Sequence, residues 1–178
     1  MSAQDTFNVK SERPSRCDGV AEELHIWREQ YQISDLKSKC RHIDRDKYSV
    51  AILASGGLLD TIAAIRAGLM PIWGSEIHPT MQALWHDLVG TECYGDAFNI
   101  NLSEVRQPII LKTGFPCKDY TDLGSKKGAK GNTGDMYLRQ AELIHQLRPL
   151  VAVIEQTNHA LRTNQGTEVT GLIQSLSR

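Results

Sequence analysis

No apolar run in this chain is long enough to cross a bilayer, which excludes a helical membrane anchor within it. The first residues, Met1 to Lys10, are polar and hold no signal-peptide core, so an intracellular protein is expected, in cytoplasm or nucleus. Paired cysteines are missing too. Cys17, Cys40, Cys93 and Cys117 are scattered without C-x-x-C spacing, which argues against a zinc site and against a disulfide framework. His78, His86 and His159 do not make a metal set. The charge has no dominant sign: 20 basic and 21 acidic residues leave a formal net charge of -1. That balance neither demands nor excludes nucleic acid, because a local basic patch is enough to bind it. There is no internal repeat and no G-x-G-x-x-G, the usual mark of a nicotinamide dinucleotide site.

The 178 residues are 40% hydrophobic, enough for one domain with a sizeable core. Residues 1–16 read as a loose polar segment. Val20, Leu24, Trp27 and Tyr31 fall at helical spacing, which predicts an amphipathic helix packed on the main domain. Residues 1–47 thus form an N-terminal extension, and residues 48–178 the main domain.

From Tyr48 the pattern alternates. Tyr48 to Leu53 reads as a buried strand, and Ala54-Ser55-Gly56-Gly57 as a turn. Leu59, Ile62, Ala63 and Arg66 lead along a helix that stops near Gly68. Met70 to Ser75 is a second strand, ending in Glu76. Pro79 opens a helix with the stripe Met81, Leu84, Trp85 and Leu88. A third strand is expected near Cys93-Tyr94, and a fourth within Pro108 to Lys112. Asp135 caps a helix to about Leu147, Val151 to Ile154 is a fifth strand ending in Glu155, and a last helix spans Thr170 to Ser177. Such alternation predicts an α/β fold, a mostly parallel sheet with helices on both faces.

In such sheets ligands bind beyond the carboxyl ends of the strands. The residues expected there are Ser55-Gly56-Gly57, Glu76, Asp96, Cys117 and Glu155. Glycines after the first strand let a ligand approach the amides of a helix N-terminus. About 20 residues on, Glu76 can accept bonds from two ribose hydroxyls. Asp96 can bond an adenine amino group. Singly each is ordinary, since Gly-Gly is common in turns and acids often cap strand ends in solvent. Together, in register, they point to an adenosine-type cofactor, S-adenosylmethionine rather than a nicotinamide. Cys117 follows a strand in Gly114-Phe115-Pro116-Cys117-Lys118, a setting that lifts a thiol out of the core for nucleophilic work.

With these residues in hand, the chain from about Tyr48 to Ser177 resembles the DNA cytosine-5 methyltransferase family. Arg66-Ala67-Gly68-Leu69 is similar to the end of that family's first motif helix. Ser75-Glu76-Ile77-His78-Pro79 resembles its second motif, and Gly95-Asp96 its third. Gly114-Phe115-Pro116-Cys117, with Tyr120-Thr121 and Gly124, resembles the catalytic G-P-P-C-x-x-[FY]-S-x-x-G stretch. Arg148-Pro149 and Glu155-Gln156-Thr157 resemble R-P…E-N-V. The first loop of the family, F-x-G-x-G-G, is reduced here to Gly56-Gly57, with Ala54 at the aromatic position. The family's Q-x-R-x-R motif, target-recognition domain and final cofactor motif have no counterpart before Arg178.

The resemblance implies a Rossmann-like S-adenosylmethionine-dependent methyltransferase fold. It implies a cofactor site of Ser55, Gly56, Gly57, Glu76, Ile77, Asp96 and Pro116. Cys117 would add to carbon 6 of a cytosine flipped from duplex DNA, and Glu155 would hold the base and supply a proton. Lys126, Lys127 and Lys130, in a glycine-rich loop, would meet phosphates without reading sequence. The alternatives are an RNA cytosine methyltransferase, or a non-catalytic or split-enzyme subunit whose partner chain carries the remaining motifs.

Overall fold

The computed structural model of the chain describes residues 22, 25, 26, 28–30, 32–54, 58–114, 136–156, 158 and 162–177. The stripe Val20, Leu24, Trp27 and Tyr31 lies outside them. The first complete helix is α1 (Ile33–Arg41). Then come β1 (Ser49–Leu53), α2 (Leu59–Arg66), β2 (Met70–Ser75), α3 (Pro79–Leu88), β3 (Glu92–Tyr94), β4 (Ile110–Gly114), α4 (Met136–Leu147), β5 (Val151–Glu155) and α5 (Thr167–Leu176). Among the described residues no helix is long and apolar enough to cross a membrane.

The five strands form one sheet in the order β3-β2-β1-β4-β5, and every pairing is parallel. From β1 the chain winds one way through β2 to β3, then crosses back to β4 and β5. Right-handed crossovers therefore put α2 and α3 on one face and α4 on the other. The expected α/β architecture is the observed one. Its one irregularity has a local cause. Pro71 lacks an N–H for the ladder, and the register between β1 and β2 slips between Val50 and Ala51, opposite it.

The core is continuous across the sheet. All five residues of β1 and all six of β2 are buried, as strands covered on both faces should be. Met81, Leu84, Trp85 and Leu88 on α3 are buried at the helical spacing read from the sequence. Trp85 lies so close to the sheet that a Cβ on Gly74 would meet its ring at 2.5 Å. Residue 74 is therefore held to glycine by contact with the indole. In β4, Leu111 and Thr113 are fully buried, while Lys112 points to the other face and pairs with Asp60 on α2. The edge strand β5 differs: Val151 and Val153 are 46% and 47% exposed.

Candidate active site

Parallel pairing brings all five strand ends to one side of the sheet. Two hydrogen bonds fix the ends of β2 and β3 against each other. The Glu76 N–H donates to the Tyr94 carbonyl at 2.9 Å, and the Ser75 hydroxyl donates to the Gly95 carbonyl at 2.8 Å. Glu76 and Asp96 are thereby carried on neighbouring strand ends, as expected.

Glu76 is only 8% exposed, unusual for a carboxylate. Its Oε1 accepts from the His78 N–H at 3.0 Å, and its carbonyl accepts from the Gln82 amide at 2.5 Å. The start of α3 therefore sets its orientation. Ile77, next along, is 75% exposed beside it. Asp96 is exposed, with Oδ1 accepting from the Phe98 N–H at 3.0 Å to cap the short 3-10 turn Ala97–Asn99. The acids leave a mark on their neighbourhood. Burial, reinforced by the charges of Glu76 and Glu92, pushes the Cys93 thiol up to about 12.

At the end of β1 the backbone is unusual at the two described residues that flank Ser55-Gly56-Gly57. Ala54 has φ 51° and Leu58 has φ 61°, left-handed values that cost a non-glycine residue free energy. Leu58 stands at the N-cap of α2 and makes no side-chain cap bond. Ser55, Gly56 and Gly57 themselves lie outside the described residues.

On the other side of β1, Gly114 ends β4 opposite Glu155, the end of β5. A Cβ on Gly114 would fall 3.1 Å from the Glu155 Oε2 and 3.3 Å from its carbonyl oxygen. The Glu155 carboxylate thus lies over the bare backbone of the residue that leads into Phe115-Pro116-Cys117, with its side chain exposed. Pro116, Cys117, Lys126, Lys127 and Lys130 lie outside the described residues.

The family model of the C-5 cytosine-specific DNA methylases matches residues 54–178. The chain belongs to that family. Its relatives among characterised proteins are bacterial type II methyltransferases. The chain is 33% identical to M.BbvI of Brevibacillus brevis over 64 residues, 36% of this chain and 17% of the relative. It is 26% identical to M.NgoFVII of Neisseria gonorrhoeae over 146 residues, 80% of this chain and 37% of the relative. The matched part therefore spans well under half the length of these relatives. A prophage-encoded E. coli protein described as a DNA modification methyltransferase shares the fold. It superposes at TM-score 0.55 and 17% identity, over 74% of this chain and 38% of its own.

The methyl donor of C-5 cytosine methylases is S-adenosyl-L-methionine, and the strand-end residues suit it. The held carboxylate of Glu76 can accept from hydroxyls, and the exposed one of Asp96 can accept from an amino group. Sequence reading gave no holding role to two residues on this side of the site: Ser75, whose hydroxyl donates to the Gly95 carbonyl, and Arg139, which donates to the Ala97 and Ile100 carbonyls. Ser75 was legible as a strand end and as the first residue of Ser75-Glu76-Ile77-His78-Pro79, but not its bond to Gly95. Arg139 sits in α4, far along the chain from Asp96. A cavity of about 660 Å³ lies elsewhere, beside Arg28, Gln32, Ile33 and Asp87. Ion pairs line it, and none of the described residues singled out for chemistry is among its lining.

Proposed function

We propose that this chain is the cofactor-binding and catalytic portion of an enzyme that methylates carbon 5 of cytosine in DNA. The observation that carries the reading is the family match over residues 54–178, the span that holds Glu76, Asp96, Cys117 and Glu155.

In this reading Ser55, Gly56 and Gly57 offer backbone amides, and Glu76 accepts from the ribose hydroxyls of the cofactor. Ile77 and Pro116 pack against it, and Asp96 accepts from the adenine amino group. S-adenosyl-L-methionine, when bound, supplies an electrophilic methyl group. The Cys117 thiolate forms a bond to carbon 6 of the flipped base, and the ring electrons released to carbon 5 take the methyl. Glu155 holds the ring nitrogen and amino group and passes a proton to the nitrogen as charge builds. Water then takes the proton on carbon 5, its electron pair re-forms the double bond to carbon 6 as the Cys117 thiolate leaves, and the ring nitrogen returns its proton to Glu155. Lys126, Lys127 and Lys130 contact phosphates and add affinity without sequence preference.

The exposed edge strand β5, with Val151 and Val153 half-open, favours a second form of the same reading. Here the chain works with a polypeptide that covers this edge and supplies base recognition.

The test is transfer of labelled methyl to duplex DNA and to transfer RNA, followed by nucleoside analysis. The reading expects 5-methylcytosine in DNA, lost with Cys117→Ser, from the chain alone or once a partner polypeptide is added. Label in RNA alone, or activity untouched by Cys117→Ser, would refute it.

A further inference from the structure

The Asp96 segment is held from a distance by one side chain. Arg139 lies in the second turn of α4, and its side chain is only 10% exposed. Its Nε donates to the Ala97 carbonyl at 3.0 Å, and its Nη2 donates to the Ile100 carbonyl at 3.0 Å. Its Nη1 pairs with Glu142 at 2.6 Å, one turn along the same helix. The two carbonyls bracket the 3-10 turn Ala97–Asn99. Asp96 closes the same turn from within, through the Phe98 and Asn99 amides.

The anchor is firm. Met136, Ala141, Leu143 and Leu147 bury α4 against the core, so the guanidinium is presented from a fixed helix. Its planar fork reaches two carbonyls at once, which an ammonium on a flexible stem does not reproduce. The Ser75 hydroxyl fixes the start of the segment at Gly95, and Arg139 fixes the part beyond Asp96.

We infer that Arg139 is a positioning residue that sets the purine selectivity of the cofactor site. It does so by holding the turn that carries the Asp96 carboxylate. The inference rests on the reading of Asp96 as the acceptor for the adenine amino group. A carboxylate favours an amino group and rejects a carbonyl oxygen at the same ring position, where acceptor would face acceptor. That discrimination needs a carboxylate that cannot swing away.

The experiment compares binding of S-adenosylhomocysteine and S-inosylhomocysteine by calorimetry. The proteins are the wild type and the variants Asp96→Asn, Arg139→Gln, Arg139→Lys and Glu142→Gln. The wild type should prefer the adenosyl ligand, and Asp96→Asn should abolish the preference. Arg139→Gln should reduce the preference by about tenfold, the scale of a lost charged hydrogen bond, and Arg139→Lys should restore part of it. Glu142→Gln, which leaves both carbonyl bonds in place, should keep it. Equal weakening of both ligands in Arg139→Gln and Arg139→Lys would make the residue structural only and overturn the inference. A preference lost in Asp96→Asn but intact in both Arg139 variants would overturn it alone. No preference in the wild type, or none lost in Asp96→Asn, would remove the Asp96 reading and this inference with it.

Discussion

Gly114 and Glu155 end neighbouring parallel strands in register, and the Glu155 carboxylate occupies the space a side chain at 114 would need. Gly114→Ala puts a methyl 3.1 Å from Oε2 and 3.3 Å from the carbonyl oxygen, so the carboxylate has to give way. The expected outcome is a fall in methyl transfer of roughly one to two orders of magnitude, with far-UV circular dichroism unchanged. Single-turnover kinetics on both proteins checks it. Unaltered turnover would mean that the position of Glu155 over Gly114 has no part in the chemistry.

A second glycine tests the fold instead of the chemistry. Gly74→Ala drives a methyl into the Trp85 ring, which is fully buried and held by its Nε1 donating to the Thr91 carbonyl at 3.1 Å. Overpacking of this kind costs about 1–3 kcal/mol, read as a lower midpoint in urea unfolding. The double change Gly74→Ala with Trp85→Phe should recover part of the loss.

Legibility divides along the line between local pattern and assembly. β2 was readable to the residue, because Met70 to Ser75 is an apolar run between Gly68 and an acid. α3 was readable because Pro79 starts it and its stripe keeps period. β4 begins at Ile110 and runs to Gly114, later than Pro108 to Lys112, because pairing with β1 and β5 sets its limits. α5 begins at Thr167 rather than Thr170, after Gly166 in a left-handed turn that carries no cap signature. α1 was missed. Ile33, Leu36 and Cys40 do fall on one face, but Gln32 starts the helix from a left-handed conformation with no side-chain cap. Val151 to Ile154 reads like a central strand, and only the sheet order makes it an edge. The acids at the strand ends were legible because parallel topology forces them together. The grip of Arg139 on Ala97 and Ile100 was not, since nothing local links residues about forty apart.

Cys93 lies beside this site yet should be inert. With its thiol pushed up to about 12 by burial and by Glu76 and Glu92, thiolate is scarce at pH 8, about one molecule in ten thousand. Native protein treated with iodoacetamide at pH 8 should leave Cys93 unmodified in peptide mass analysis, and urea should expose it. Rapid alkylation of Cys93 in the folded chain would contradict the burial.

Asp87 joins α3 to the N-terminal segment through Lys37 and Arg28. Burial acts to raise its pKa, but the hydrogen bonds and charges of Lys37 and Arg28 outweigh it and hold the carboxyl below its usual range. A lowered folded-state pKa gives stability that is present above the unfolded value and fades as pH falls through the folded one. Asp87→Asn should therefore cost about 0.2–1 kcal/mol at pH 7, the range for partly exposed pairs, and little at pH 2. Urea unfolding at the two pH values checks the sign.

The central claim is tested most directly by intact-protein mass after incubation with S-adenosyl-L-methionine and duplex DNA containing 5-fluorocytosine. Fluorine on carbon 5 does not leave as a proton does, so a working enzyme remains joined to the DNA through its cysteine. The account predicts a covalent adduct, alone or with a partner polypeptide that covers β5, which disappears in Cys117→Ser. An adduct that persists in Cys117→Ser, or no adduct from folded protein that binds both cofactor and DNA, would contradict it.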